Sequence, residues 1–279
     1  MSELRASYKS HAKINLDLRV FPLAGGFHPL HSWFRTIELH DSLTIEPAKG
    51  VGGFNLSCDD PAVPTDASNL IWQAWQRLGG EQRPSLSVHL DKRIPMGGGL
   101  GGGSSNAATM LHAARQSWPM IDGPTDGVAA ALGSDVPFFF AGSPDATVAG
   151  RGERVAPFTA KRRHAVLLFL PGIHCATPAV FKRFDQLPPP DRDPAPDYEA
   201  WSKLPALELL PRLRNDLQSP CFDLHPPLAD LHATAEAQLN RKVLLSGSGS
   251  SMFTLFDDVD EANDVASRWT QASVNVVVC

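Results

Sequence analysis

Residues 13–20, KINLDLRV, alternate strictly, with Ile14, Leu16, Leu18 and Val20 on one face and Lys13, Asn15, Asp17 and Arg19 on the other. A period of two predicts a half-buried strand. The Gly/Pro stretch 21–31 predicts a loop, followed by strand-like runs at 33–40 and 42–46. Over 69–78 the pattern turns helical, with Asp66 or Ser68 placed to cap the helix and Gly79-Gly80 to stop it. LSVHL (86–90) reads as a strand entering a glycine run. Beyond that run Ala107, Met110, Leu111, Ala114 and Trp118 recur at helical spacing, and Pro119 would end the helix.

The second half opens on a buried-type strand, AVLLFL (165–170), and a short helical stretch near 178–184. The proline-rich segment 186–197 predicts a surface loop. Helical patterns resume at 204–211 and 227–240, and strands follow at 242–245, 251–256 and 273–279, with a Gly/Ser turn at 246–251. No fixed-period repeat is present. Strands and helices mixed throughout predict an α+β chain of two domains, 1–155 and 156–279.

Composition narrows the picture. The 279 residues suffice for a large core, and 43% hydrophobic with 20% charged residues is ordinary for a globular chain. A net charge of −5 leaves no broad basic surface for a nucleic-acid backbone. The start, MSELRASYKSHAK, lacks the apolar core of a signal peptide, and no apolar run is long enough to span a bilayer. The four cysteines are scattered without a C-x-x-C pair, which speaks against a disulfide framework or zinc site and for a reducing cytoplasm. His28 and His31 form an H-x-x-H with no accompanying ligand cluster, so no metal site is expected there.

The chemistry concentrates in IPMGGGLGGGSSNAATML (94–111). A glycine loop entering a helix offers free backbone N–H groups and the positive end of the helix dipole to an anion. A Walker A loop is excluded because no lysine follows the glycines. Gly97, Gly99 and Gly102 satisfy the dinucleotide spacing G-x-G-x-x-G, a match nearly automatic in so glycine-rich a string. Pro95, Gly99-Leu100-Gly101 and Ser104-Ser105 fit a third pattern, P-x-x-x-G-L-x-S-S-A, with two extra glycines. That pattern resembles the phosphate loop of the galactokinase, homoserine kinase, mevalonate kinase and phosphomevalonate kinase superfamily. A flexible hinge is the plain reading, opposed by the helical pattern that begins at once.

Within that superfamily, DKRIPMGGGLGGGSSNAAT (91–109) resembles the nucleotide loop of the 4-diphosphocytidyl-2-C-methyl-D-erythritol kinase family. AKINLDL (12–18), GGFH (25–28), SNLIWQA (68–74), LGSDVPFFFAG (132–142), GRGE (150–153), PGIHCATPAVF (171–181) and LLSGSGSSMFTLF (244–256) resemble its other motifs, in family order. The resemblance implies an N-terminal nucleotide domain, a C-terminal domain of mixed sheet and helices, and a reaction cleft between them. It implies a cytoplasmic, ATP- and Mg²⁺-dependent kinase that phosphorylates the 2-hydroxyl of the cytidine diphosphate-linked methylerythritol for isoprenoid synthesis. Nucleic-acid and membrane partners are not expected, and the chain is a monomer or homodimer.

Site roles follow residue by residue. By resemblance Asp135 is the base and Lys13 its charged partner; on the residues alone they read as a helix N-cap or turn residue and a solvated strand lysine. Asn69, Lys92, Pro95, Gly97, Gly98, Gly99, Leu100, Gly101, Gly102, Gly103, Ser104 and Ser105 would bind ATP, the serines also capping the helix. The alcohol substrate would meet Asn15, Phe27, His28, Asp135, Thr177, Phe181, Gly247, Ser248 and Gly249, with the cytosine between Phe27 and Phe181 and His28 offering one donor and one acceptor. Phe27 stands for the family's tyrosine, LAGG replaces R-P-D-G before His28, and Asp17 occupies a position that is frequently apolar. Another superfamily kinase and a non-catalytic nucleotide sensor are the alternatives; the latter should have lost Lys13 or Asp135, and both are present.

Overall fold

The computed structural model describes residues 5–117, 125–190, 195–271 and 274–279. It divides into two compact units, one drawn from segments 1–12, 38–94 and 101–142, the other from 13–37, 95–100 and 143–279. Two long strands, β1 (Ala6–Val20) and β2 (Leu30–Val51), contribute to both. The two runs read separately at 33–40 and 42–46 are thus one strand.

In the first unit, β3 (Phe54–Cys58) pairs in parallel with β4 (Pro84–Asp91), the chain crossing from one to the other through α1 (Leu70–Arg77), and β4 lies between β3 and β2 in the sheet. β4 runs antiparallel to the second half of β2, from Ser42↔Asp91 onward. α2 (Gly102–Ser117), α3 (Thr125–Leu132) and α4 (Val136–Ala141) complete it. Leu43, Val88 and Leu90 of the sheet share one core with Ile71, Trp75, Ala107, Met110, Leu111 and Ala114. The predicted helical stripe after the glycines is therefore the buried one, and its alanines let α2 pack closely. Trp118 and Pro119 lie outside the described residues. The cap of α1 is Asn69, whose Oδ1 accepts from the Ile71 N–H at 2.9 Å; Asp66 instead accepts from Ser68 in the turn before it. An Asn at this position satisfies one of the orphan donors of the first turn.

In the second unit, the first half of β2 pairs antiparallel with β5 (Asp145–Gly150), and β5 with β6 (Arg154–Phe158). A separate four-stranded sheet, formed by β7 (Ala165–Leu170), β8 (Leu244–Leu245), β9 (Met252–Phe256) and β10 (Asn275–Val278), has the order β10-β7-β9-β8. Helices α5 (Thr177–Phe184), α6 (Tyr198–Trp201), α7 (Ala206–Leu209), α8 (Gln218–Leu224), α9 (Pro226–Leu239) and α10 (Val259–Ser267) accompany it. Its core joins Leu18, Leu167, Phe169, Leu217, Leu228 and Leu245.

The polar face of β1 departs from the sequence reading. Lys13, Asn15, Asp17 and Arg19 are all buried, so the strand is enclosed on both faces. Burying a carboxylate is tolerable only with partners. Asp17 accepts from Arg19 Nε at 2.9 Å, the Tyr198 hydroxyl at 2.8 Å and the Arg214 N–H at 2.8 Å. Burial, and after it the Asp17 charge, pushes the Tyr198 phenol above its ordinary value, which keeps it a donor.

Three histidines carry a pH consequence. Burial holds His31, His112 and His164 below the ordinary imidazole value of 6.5. The unfolded chain then binds more protons than the folded one as pH falls through that value, so stability declines toward acid. Urea midpoints measured between about pH 7.5 and about pH 5.5 are expected to fall steadily, and His112→Gln should flatten the slope. A midpoint that is flat or rises toward acid would contradict this assignment.

Candidate active site

The glycine stretch divides between the units: residues 95–100 belong to the second and Gly101 onward to the first. Gly97, Gly99 and Gly101 have φ of +66°, +75° and +69°, a region costly to residues with a Cβ. The second unit grips the loop by its carbonyls. Lys13 N–H donates to Leu100 O at 3.0 Å, Ser251 N–H to Gly98 O at 3.1 Å, and Ser246 Oγ to Gly99 O at 3.0 Å. A Cβ on Gly99 would stand 2.1 Å from Ser246 O, and one on Gly97 2.2 Å from His174 Nδ1. Gly99 is therefore required by the close approach of the backbone of a second glycine-rich segment, while Gly97 meets the side chain of the exposed His174. Gly103, by contrast, has only Leu70 near it, at 3.8 Å.

Around this loop the second unit gathers several of the expected substrate residues. Lys13 Nζ donates to Asn15 Oδ1 at 2.7 Å and lies 4.6 Å from the centre of the Phe34 ring. Asn15 donates from Nδ2 to Ser32 Oγ at 3.1 Å and from its backbone N–H to Ser246 Oγ at 3.3 Å. Gly247 faces Asn15 Oδ1, where a Cβ would come within 3.3 Å. Thr177 and Ser248 share a hydroxyl–hydroxyl bond of 2.7 Å. Asn215, which the sequence reading missed, secures the turn by donating to Leu245 O at 2.7 Å and Gly247 O at 2.8 Å. Its only signal was an asparagine between helical patterns.

The expected base-recognition residues lie on the same unit but do not form a simple sandwich. His28 stacks on Phe181 with ring centres 5.5 Å apart, and Phe27 carries the Arg151 guanidinium 4.9 Å from its ring centre. Both imidazole nitrogens of His28 face oxygens: Nδ1 meets Phe21 O at 2.9 Å and Nε2 meets Asp185 Oδ1 at 3.0 Å. His28, Phe184 and Asp185 are among the residues lining a cavity of about 210 Å³.

In the first unit, Ser104 and Ser105 stand inside the first turn of α2, which begins at Gly102. Lys92 Nζ lies 3.0 Å from Asp41 Oδ2. Asp135 holds the N-cap position of α4 but makes no capping side-chain bond, and it is half-buried. Among the described residues no group of three His, Cys, Asp or Glu is placed to hold a metal, and no helix is long and apolar enough to cross a membrane.

Two family models match the chain: the GHMP kinases N terminal domain over residues 69–143 and the GHMP kinases C terminal domain over 203–275. The fold and the glycine loop accordingly define an ATP-dependent small-molecule kinase. A 4-diphosphocytidyl-2-C-methyl-D-erythritol kinase of Rhodococcus jostii (strain RHA1) is 35% identical, covering 95% of this chain and 88% of its own length. Its counterpart in Nocardia farcinica (strain IFM 10152) is 36% identical, covering 95% and 90%. A crystal structure of a 4-(cytidine 5'-diphospho)-2C-methyl-D-erythritol kinase superposes with a TM-score of 0.79 at 32% identity, covering 98% of each chain. The chain belongs to the 4-diphosphocytidyl-2-C-methyl-D-erythritol kinase family of GHMP kinases.

Proposed function

We propose that this kinase transfers the γ-phosphoryl group of ATP to the 2-hydroxyl of 4-diphosphocytidyl-2-C-methyl-D-erythritol, giving the 2-phosphate and ADP in isoprenoid precursor synthesis. The observation that carries the reading is the convergence of Lys13, Asn15, Gly247 and the Thr177–Ser248 pair around residues 95–100, joined to the family membership.

The triphosphate lies along the glycine loop. Positive φ at Gly97, Gly99 and Gly101, alternating with Gly98 and Leu100, is a pattern compatible with a nest of amide N–H groups for an anion. Donors on the carbonyls of Gly98, Gly99 and Leu100 hold that geometry. The N-terminus of α2 adds its dipole, and Ser104 and Ser105 add hydroxyls. Asn69 and Lys92 serve the nucleotide. Magnesium would be held mainly through the substrate phosphates, with the Ser104 and Ser105 hydroxyls as the candidates to meet it or its water. When bound, it supplies charge neutralisation at the phosphates.

Asp135 accepts the proton of the acceptor hydroxyl, and Lys13 stabilises charge on the transferring group. Asn15, Thr177, Ser248 and the glycines at 247 and 249 orient the sugar alcohol and its phosphates, while Phe27, His28 and Phe181 take the cytosine. Positioning supplies much of the rate. The test is coupled ADP release with the cytidine substrate, mevalonate and homoserine offered separately. ADP is expected with the first alone; turnover that depends on either of the others would sink the substrate assignment.

A further inference from the structure

The Asp41 carboxylate has no part in the mechanism above, yet it is fully buried and accepts from four different residues. Its position in the ladder explains why. β2 pairs with β4 only as far as Ser42↔Asp91. One residue beyond, the β4 chain leaves the sheet for the glycine loop, and Asp41 takes over its hydrogen bonding. Oδ1 accepts the N–H groups of Arg93 at 2.7 Å and Ile94 at 2.8 Å. Oδ2 accepts from Asn106 Nδ2 at 3.0 Å, on α2 beyond the loop. Lys92 Nζ bridges the two oxygens at 3.2 and 3.0 Å and donates also to Ile94 O. Both stems of the glycine stretch thus end on one carboxylate, with the Lys92 ammonium as its buried counter-ion.

We propose that Asp41 is a positioning residue that fixes the separation of the two stems of the ATP loop, and that Lys92 serves the nucleotide through this network. The inference rests on reading residues 95–105 as the ATP loop. The chemistry demands a carboxylate. All the groups that meet Asp41 are donors, and only an acceptor-only side chain satisfies backbone, amide and ammonium together. An asparagine in its place turns an NH₂ toward either Lys92 or Asn106 and leaves the ammonium buried without its counter-charge.

Two variants test this, Asp41→Asn and Asn106→Ala, the second removing a single donor on the outgoing stem. Mg·ATP binding is measured by calorimetry, KM is measured for each substrate, and thermal midpoints are recorded. Asp41→Asn is expected to weaken ATP binding at least about tenfold, and Asn106→Ala roughly threefold to tenfold. The KM for the alcohol should stay within about twofold in both. A purely structural role would instead lower the midpoint and weaken both substrates in parallel, and that result overturns the proposal. ATP affinity within about twofold of wild type in folded variants also overturns it. Should Asp41→Asn fail to fold, Asn106→Ala decides alone. Calorimetry keeps the test separate from the substrate assignment: a chain that phosphorylates another alcohol still reports on Asp41 through ATP.

Discussion

Asp135→Asn is expected to lower kcat by about two to four orders of magnitude while ATP affinity changes less than about threefold. The substitution keeps the size and shape of the side chain but removes its capacity to accept a proton. It removes no cap from α4, because the Asp135 carboxylate makes no capping bond there, so loss of the helix would not account for a loss of rate. A drop in kcat with ATP binding intact marks a group that acts mainly in the transition state. Coupled ADP release gives kcat, and calorimetry gives ATP binding on the same preparation. Turnover near wild type would remove Asp135 from the role of base.

The second large effect concerns stability and ATP binding together. Gly99→Ala places a methyl group 2.1 Å from Ser246 O and 3.1 Å from Gly249 O, at a φ of +75°. Left-handed backbone costs an alanine roughly 1–2 kcal/mol, and forcing a methyl into a packed site about 1–3 kcal/mol, so a loss of about 2–5 kcal/mol is expected. The obstacle is backbone, which cannot rotate away as a side chain would. ATP affinity should fall by more than about tenfold as the loop is pushed off Ser246. Gly103→Ala is the control for stability: its Cβ would meet only Leu70 at 3.8 Å, and alanine inside a helix is favoured over glycine by about 0.5–1 kcal/mol. Equal thermal midpoints for the two variants would show that close approach is not what excludes a side chain at 99.

Periodicity made β1, the buried stripe of α2 and the strand entering the glycine loop legible, because each is a local pattern of apolar residues against one core. The glycine run entering a helical pattern pointed to an anion site. Which anion, and which acceptor, came only from the ordered series of motifs. What stayed hidden depends on partners far along the chain. The alternation of β1 marks Asp17 as solvent-facing, whereas its burial depends on Tyr198, 181 positions away, and on Arg214. Asp41 sits in an ordinary-looking strand, and nothing local announces that it faces the residues on either side of the glycines. Asn69 was passed over as a cap for Asp66 or Ser68, all three being competent cap residues separated by a few positions. The site residues divide in the same way. Gly99 is legible for what it offers a phosphate, while the contact that demands it comes from the Ser246 backbone.

That last contact also orders events in time. Gly99 O rests on a hydroxyl that is translated 147 residues later. At roughly 5–20 residues per second, a growing chain carries its glycine stretch for about seven to thirty seconds before Ser246 exists to support it. The same segment, 246–251, borders Asn15 and Thr177, so these residues and the glycine stretch wait on one late-made turn. A ribosome-bound chain therefore completes the supports of its glycine stretch and of Thr177 together, only once this turn is made.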